Sequence, residues 1–413
     1  MKTVTKSHTL LRKEPSDIIF RNYILVYFMF ALGGVTTFSS NSRFVQGFFI
    51  FLFFLFLFKK KVFDKEFFFI LFFVLFIFLG QLFIFGNFNL VGAIALFYSF
   101  FIPYSLIKLV GYRFTDYYIN ITYVFAIISF LFLVPSYISQ DFREAVKDFA
   151  VWINLDPLIG VKDNFIIYNH ELMVNGMIKN PGPFYEAGAF GTFLIVALIL
   201  NLIKTKKLLE KKNVVFILAI LTTLSTATYI SLFILLFFYF TQSKSLWINV
   251  VLAPILFILV FEVFSAVPFL RDKIEAEYEA SSRQGDNEER IGRIQGGKVD
   301  LQYILRSPVF GRGLTSPYAG SNNGLTGLAL SYGIIGFFLY FYLIIKSLKF
   351  YCKANMYNQK FAVFSTISIA SVLLGQVLYS KPIFLGLMMM FILYKRSNMQ
   401  SYLVSTSLQK SQT

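Results

Sequence analysis

The chain has 413 residues, 57% hydrophobic and 19% aromatic, with 15% charged and a formal net charge of +16. Charged residues make up ~25% of ordinary soluble domains, so this composition excludes one. Runs such as FFIFLFFLFLF and FFFILFFVLFIFL show no alternation, which excludes an outer-membrane barrel and points to membrane-crossing helices.

The one cysteine, Cys352, and the two histidines, His8 and His170, leave no intrachain disulfide, no cysteine cluster and no multi-histidine metal site. The 54 phenylalanines occur in every apolar run and read as lipid-facing and packing bulk.

In chain order, residues 1–17 are polar and basic. No small-residue cleavage site follows the first apolar run, so a retained first span is expected. The fold class read from the pattern is all-α and polytopic, with about twelve spans. They fall at roughly 18–38, 44–58, 67–85, 90–108, 117–135, 185–203, 213–225, 228–241, 246–264, 325–345, 361–379 and 382–394. The organisation is then 1–135 (spans one to five), 136–184 (a first outer loop), 185–264 (spans six to nine), 265–324 (a large outer loop) and 325–413 (three spans and a tail). Ser225 to Thr228 reads as a turn inside the membrane between two short spans.

Lys and Arg set the orientation. With the N-terminus in the cytoplasm, Lys59-Lys60-Lys61, Lys108, Arg113, the KTKKLLEKK loop, Lys346, Lys349 and Lys395 all face inward, and most acids face outward. An N-in, C-in topology therefore explains the positive charge, and nucleic acid need not be invoked. No paired broken helices in two halves point to a transporter.

The first outer loop opens with an amphipathic piece, Asp141 to Trp152. Phe142, Val146, Phe149 and Ala150 fall at helical spacing, suited to the membrane surface or the bundle. Pro181, Gly182 and Pro183 break any helix, so a span is expected from near Phe184 with Glu186 in its first turn. Glu186 is either an N-terminal cap or a functional acid.

The second outer loop carries Arg271, Lys273, Arg283, Arg290, Arg293, Lys298, Arg306 and Arg312. Residues 289–305 read as a helix with Ile291, Ile294, Leu301, Ile304 and Leu305 as its apolar stripe. Arg290 and Arg293, three apart, are neighbours on one face. Gly296 and Gly297 allow a ligand or another helix to approach closely. Arginine suits phosphate, because its planar fork makes two charge-assisted bonds and stays ionised.

Four segments carry a family resemblance over about residues 175–395. Lys179-Asn-Pro-Gly-Pro-Phe-Tyr-Glu186-Ala-Gly188-Ala-Phe190 stands at a span entrance. Leu221 to Leu232 holds a Ser/Thr-rich turn between spans. Pro308-Val-Phe-Gly311-Arg-Gly313 follows Arg293 by fifteen residues. Asn322-Asn-Gly-Leu precedes Tyr332-Gly-Ile-Ile-Gly336. Together they resemble the O-antigen and capsular polysaccharide polymerase (Wzy-type) and O-antigen ligase superfamily, while the first 170 residues match only as generic spans. Where ligases of the superfamily carry a loop histidine this chain has Asn322, so that histidine's role does not transfer. Where they carry an arginine in the first outer segment it has Lys179.

The resemblance implies a multi-pass glycosyltransferase of the bacterial inner (cytoplasmic) membrane, acting in lipopolysaccharide or capsule synthesis. Its substrates would be undecaprenyl-diphosphate-linked glycans, its surroundings membrane lipids, and a chain-length regulator protein a candidate partner. No nucleotide sugar, metal or other cofactor is implied, because the donor is already activated. Arg290 and Arg293 are the expected partners of the leaving diphosphate and Glu186 the expected base. Lys179, Arg306, Arg312, Asn322, Asn323 and Tyr229 are expected around the substrate. A ligase, or a flippase or other transporter, is the alternative reading.

Overall fold

The computed structural model describes residues 15–35, 42–86, 90–153, 164–169, 177–241, 293–313 and 323–395, together with the single positions Phe38 and Glu275. The expected span 246–264, Arg290 and Asn322 lie outside the described residues.

Among the described residues the protein is helical apart from one two-residue-per-strand hairpin. The helices are α1 (Ser16–Gly34), α2 (Ser42–Phe58), α3 (Lys65–Phe85), α4 (Leu90–Val110), α5 (Phe114–Ile138), α6 (Gln140–Ile153), α7 (Ala187–Thr205), α8 (Lys211–Thr222), α9 (Thr226–Thr241), α10 (Arg293–Arg306), α11 (Gly324–Ala354), α12 (Lys360–Leu373) and α13 (Pro382–Met389). The hairpin pairs β1 (Asn164–Phe165) with β2 (Tyr168–Asn169). Among the described residues, five helical stretches are long and apolar enough to cross a membrane. They are Ser16–Gly34, Lys65–Phe85, Gly92–Ile138, Ala187–Thr205 and Gly324–Ala354; shorter apolar helices accompany them. The Gly92–Ile138 stretch is α4 and α5, which meet at a 3-10 turn, Gly111–Arg113, where Gly111 takes φ +74°.

Helix α7 is the hub. Every residue from Ala187 to Ile203 is buried, and α5, α8, α9, α11 and α12 all pack on it. Its apolar character on all sides suits a helix enclosed by other helices. Gly191 leaves room for Thr228 of α9, whose side chain would stand 2.5 Å from a Cβ there. Outward-facing phenylalanines of α2 and α3, such as Phe54, Phe72 and Phe83, form the apolar exterior expected of lipid-facing helices.

Several boundaries depart from the sequence pattern. The predicted span 361–379 stops at Leu373, and 374–381 is an irregular loop. The predicted span 185–203 begins at Ala187 rather than near Phe184, so Glu186 precedes the first turn. On the apolar face of α6, Val146 and Ala150 are buried while Phe149 is exposed, so this face is only partly packed on the bundle. The expected stripe of α10 also changes. Leu301 and Leu305 are exposed, and the packed positions are Gly296, Gly297, Asp300 and Ile304. Gly297 faces the start of α11 there, with Asn323 and Thr326 at 3.5 and 3.9 Å from where its Cβ would stand. The Thr326 hydroxyl donates to the buried Asp300 carboxylate.

The predicted span 325–345 lies within α11, which is broken at Gly333 (φ 68°, ψ 179°). A regular helix would bond Ile334 N–H to the Leu330 carbonyl, four residues back. Here the turn Pro308–Gly313 separates the two. Ile334 N donates to Pro308 O at 2.8 Å, and Arg312 N donates to Leu330 O at 2.7 Å. Both groups freed by the break are thereby satisfied, as an apolar surrounding requires. Gln81 of α3 locks the arrangement: its amide donates to Phe310 O at 2.6 Å and to Ser331 O at 2.8 Å. Gly333 admits no side chain, since a Cβ would lie 2.0 Å from Val309 O.

Gly333→Ala should therefore abolish accumulation of folded protein. Gln81→Leu should leave two carbonyls unpaired at ~1–3 kcal/mol each and lower the melting temperature measured in detergent. An unchanged melting temperature for Gln81→Leu would contradict the lock.

Candidate functional site

The segment from Ile178 to Glu186 is irregular yet held at many points. Asn180 is fully buried. Its amide donates to Ser129 of α5 and to the Thr222 hydroxyl, each at 2.9 Å, and its backbone N–H donates to Thr222 O at 3.0 Å. Tyr137 accepts from Ile178 N and donates to Ile178 O. Tyr185 N donates to Gly34 O at the end of α1. Lys179, half-buried, thus projects from a segment fixed on both sides.

Glu186 takes an extended conformation (φ −156°, ψ 158°) immediately before α7 and makes no capping bond with its side chain. The cap reading of Glu186 is therefore not realised. The residue sits at the positive end of the hub helix with its carboxylate uncommitted to the helix amides.

The Ser/Thr-rich segment lies against this one. Residues 223–225 link α8 to α9, and Ser225 Oγ stands 3.4 Å from where a Cβ on Gly188 would be. Tyr229, expected at the substrate, lies in α9 just after this turn, and its hydroxyl donates to the Leu221 carbonyl.

The other two segments also interlock, through the Gly333 break described above. Asn323 caps α11, its Oδ1 accepting from Leu325 N at 3.0 Å and Thr326 N at 3.3 Å. Arg312 lies over the Tyr303 ring at 4.5 Å and Arg306 over the same ring at 5.5 Å. Two guanidinium groups therefore contact one aromatic ring, and the pair gives locally concentrated positive charge. Arg293 is the first residue of α10, one turn before Gly297.

The loop 374–381 joins these two halves, and the sequence pattern had placed most of it inside a span. Gln376 is buried and accepts from the Tyr185 hydroxyl at 3.2 Å. Its side-chain nitrogen lies 2.3 Å from where a Cβ on Gly188 would be, and its backbone carbonyl oxygen 2.1 Å from one on Gly324. Tyr379 shares a hydroxyl–hydroxyl bond of 2.8 Å with Ser331. The signals available were Gly375, Gln376, Ser380 and Lys381 inside an otherwise apolar run ahead of Pro382.

Lys381 closes this loop, half-buried at the start of α13. Burial pushes its ammonium below the ordinary lysine range, with no neighbouring charge contributing to the shift. A cation kept in that position destabilises the fold. No His/Cys/Asp/Glu group among the described residues is arranged to hold a metal.

No protein-family model matches the chain, and neither a curated protein nor a solved structure matches it. The structure and the sequence together define an all-α protein with helices fit to cross a membrane. At its candidate site, four polar or glycine-rich segments converge.

The lowered pKa of Lys381 has a definite sign. The unfolded chain holds this proton more tightly, so stability rises with pH between the lowered folded value and the ordinary lysine value. Lys381→Met should remove that slope and raise the melting temperature at neutral pH by ~1–3 °C. Thermal melts across pH check this, and a fall in melting temperature would show that Lys381 is stabilising.

Proposed function

We propose that the protein is a polymerase of lipid-linked oligosaccharide repeat units. It moves a growing O-antigen, capsular or related glycan from undecaprenyl diphosphate to the next lipid-linked unit, at the outer face of a bacterial cytoplasmic membrane. The proposal includes an N-in, C-in topology with about twelve spans. One observation carries it. The four segments that resemble the polymerase and ligase superfamily are far apart in sequence, yet they form two interlocked pairs joined by one loop, 374–381.

The chemistry follows from the residues. The acceptor hydroxyl oxygen bonds to the anomeric carbon of the donor. The carbon–oxygen bond to the diphosphate breaks, and its electron pair leaves on the diphosphate. The hydroxyl proton passes to Glu186. Diphosphate leaves readily, so stabilising its developing charge matters more than protonating it. Arg290 and Arg293 are assigned to that charge, with Lys179 as a second clamp. Arg306 and Arg312 add positive potential from beside the Tyr303 ring. Lys381 joins this set as a half-buried cation whose charge an anionic substrate would compensate. Asn323, committed to capping α11, orients the end of the large outer loop.

In membranes reconstituted with lipid-linked repeat units, Arg293→Ala should abolish chain extension at unchanged protein level. Glu186→Gln should lower the rate by ~10²–10⁴-fold. A normal ladder of chain lengths from Arg293→Ala would overturn the assignment.

A further inference from the structure

A second cluster of basic residues lies at the opposite end of the bundle, where α1 begins and α2 ends. Lys59, Lys60 and Lys61 form the turn between α2 and α3. Arg21 belongs to α1 and Lys108 to α4. Lys61 stands within electrostatic reach of Lys108, Arg21 and Lys59. The nearby carboxylates are largely spent. Asp64 takes Lys108 at 2.8 Å and the Tyr104 hydroxyl at 2.9 Å, and Glu66 takes Lys395. Asp17 lies on the exposed first turn of α1.

The turn is ordered rather than a loose tether. Lys60 N donates to Leu57 O at 2.8 Å and Lys61 N to Phe56 O at 3.2 Å. Lys60 takes φ +48°, a left-handed conformation that helix ends ordinarily give to glycine. The stack of Phe63 and Phe67 on Tyr104 anchors the turn to α4. Partial burial, and then the charges of Lys108, Arg21 and Lys59, hold the Lys61 ammonium below the ordinary lysine range. With Lys108 paired to Asp64, the charges of Lys59, Lys60, Lys61 and Arg21 leave a net positive cluster that an anion would relieve.

Its surroundings say which anion. Phe58 and Val62 flank the lysines and are 80% and 77% exposed. Below them α2 and α3 present Phe54, Leu57, Phe68 and Phe72 outward. A free phosphate would use the charges and leave these side chains in water. A phospholipid uses both, with its headgroup on the lysines and its acyl chains along the aromatic face. We infer that the α2–α3 turn, with Arg21 and Lys108, forms a binding site for the headgroup of an anionic phospholipid. This site is separate from the glycan site and does not depend on its reading.

The test uses the full chain, purified in a mild detergent and given equimolar phosphatidylglycerol and phosphatidylcholine, with bound lipid read by native mass spectrometry. Wild type should retain phosphatidylglycerol at least about five-fold over phosphatidylcholine, as expected where each lysine at a membrane surface adds ~1 kcal/mol. Lys59→Gln/Lys61→Gln should bring the ratio to about one, and Lys59→Arg/Lys61→Arg should keep it. Arg21→Gln, outside the turn, should lower the ratio even if the double variant does not fold. Millimolar inorganic phosphate should leave the ratio unchanged. Equal retention by wild type, an unchanged ratio in both glutamine variants, or displacement by inorganic phosphate would each overturn the proposal.

Discussion

The constraint on which this architecture turns is the closure of a backbone break. Gly333 takes α11 out of helical geometry, which separates a donor and an acceptor that would otherwise bond each other. The turn Pro308–Gly313 enters the gap and satisfies both, and Gln81 fixes the turn from a third helix. Buried backbone groups left unpaired would each cost ~1–3 kcal/mol, so the three elements are mutually required. Arg312 owes its place over Tyr303 to this junction, because its own backbone N–H is one of the closing donors.

The hub helix α7 supplies the complementary half. It is enclosed along most of its length, and at its first turn Gly188 and Gly191 let side chains of neighbouring elements approach the backbone. Glu186 lies where the enclosed helix opens to the irregular 177–186 segment. A carboxylate at that end is favoured by the helix dipole, and one that is not spent on capping remains available for chemistry. The irregular segments are held in place by polar side chains from within the helices, such as Gln81 of α3 and Ser129 of α5.

Much of this was legible in the sequence. Solid apolar runs fix the helical class, and a turn does separate α8 from α9, at 223–225 rather than at the expected Ser225 to Thr228, whose last three residues begin α9. The amphipathic piece and the helix near 293–306 were also readable. What periodicity missed has physical causes. Hydropathy cannot distinguish a continuous apolar helix from one that stops, so the ends at Leu373 and the break at Gly333 were invisible to it. The stripe Leu301–Leu305 looked like a packing face, but apolar residues beside a membrane need no burial. The pairings of Gln81 with Phe310, and of Gln376 with Gly188, join residues far apart in sequence, and a single sequence carries no signal for them.

The central claim is that the converging segments polymerise lipid-linked glycan. The most direct measurement is the chain length of the surface polysaccharide in a strain from which the gene is deleted. The account predicts glycans of a single repeat unit, with polymer restored by the wild-type protein. Full-length polymer in the deletion strain, or repeat units retained on the inner face of the membrane, would contradict it.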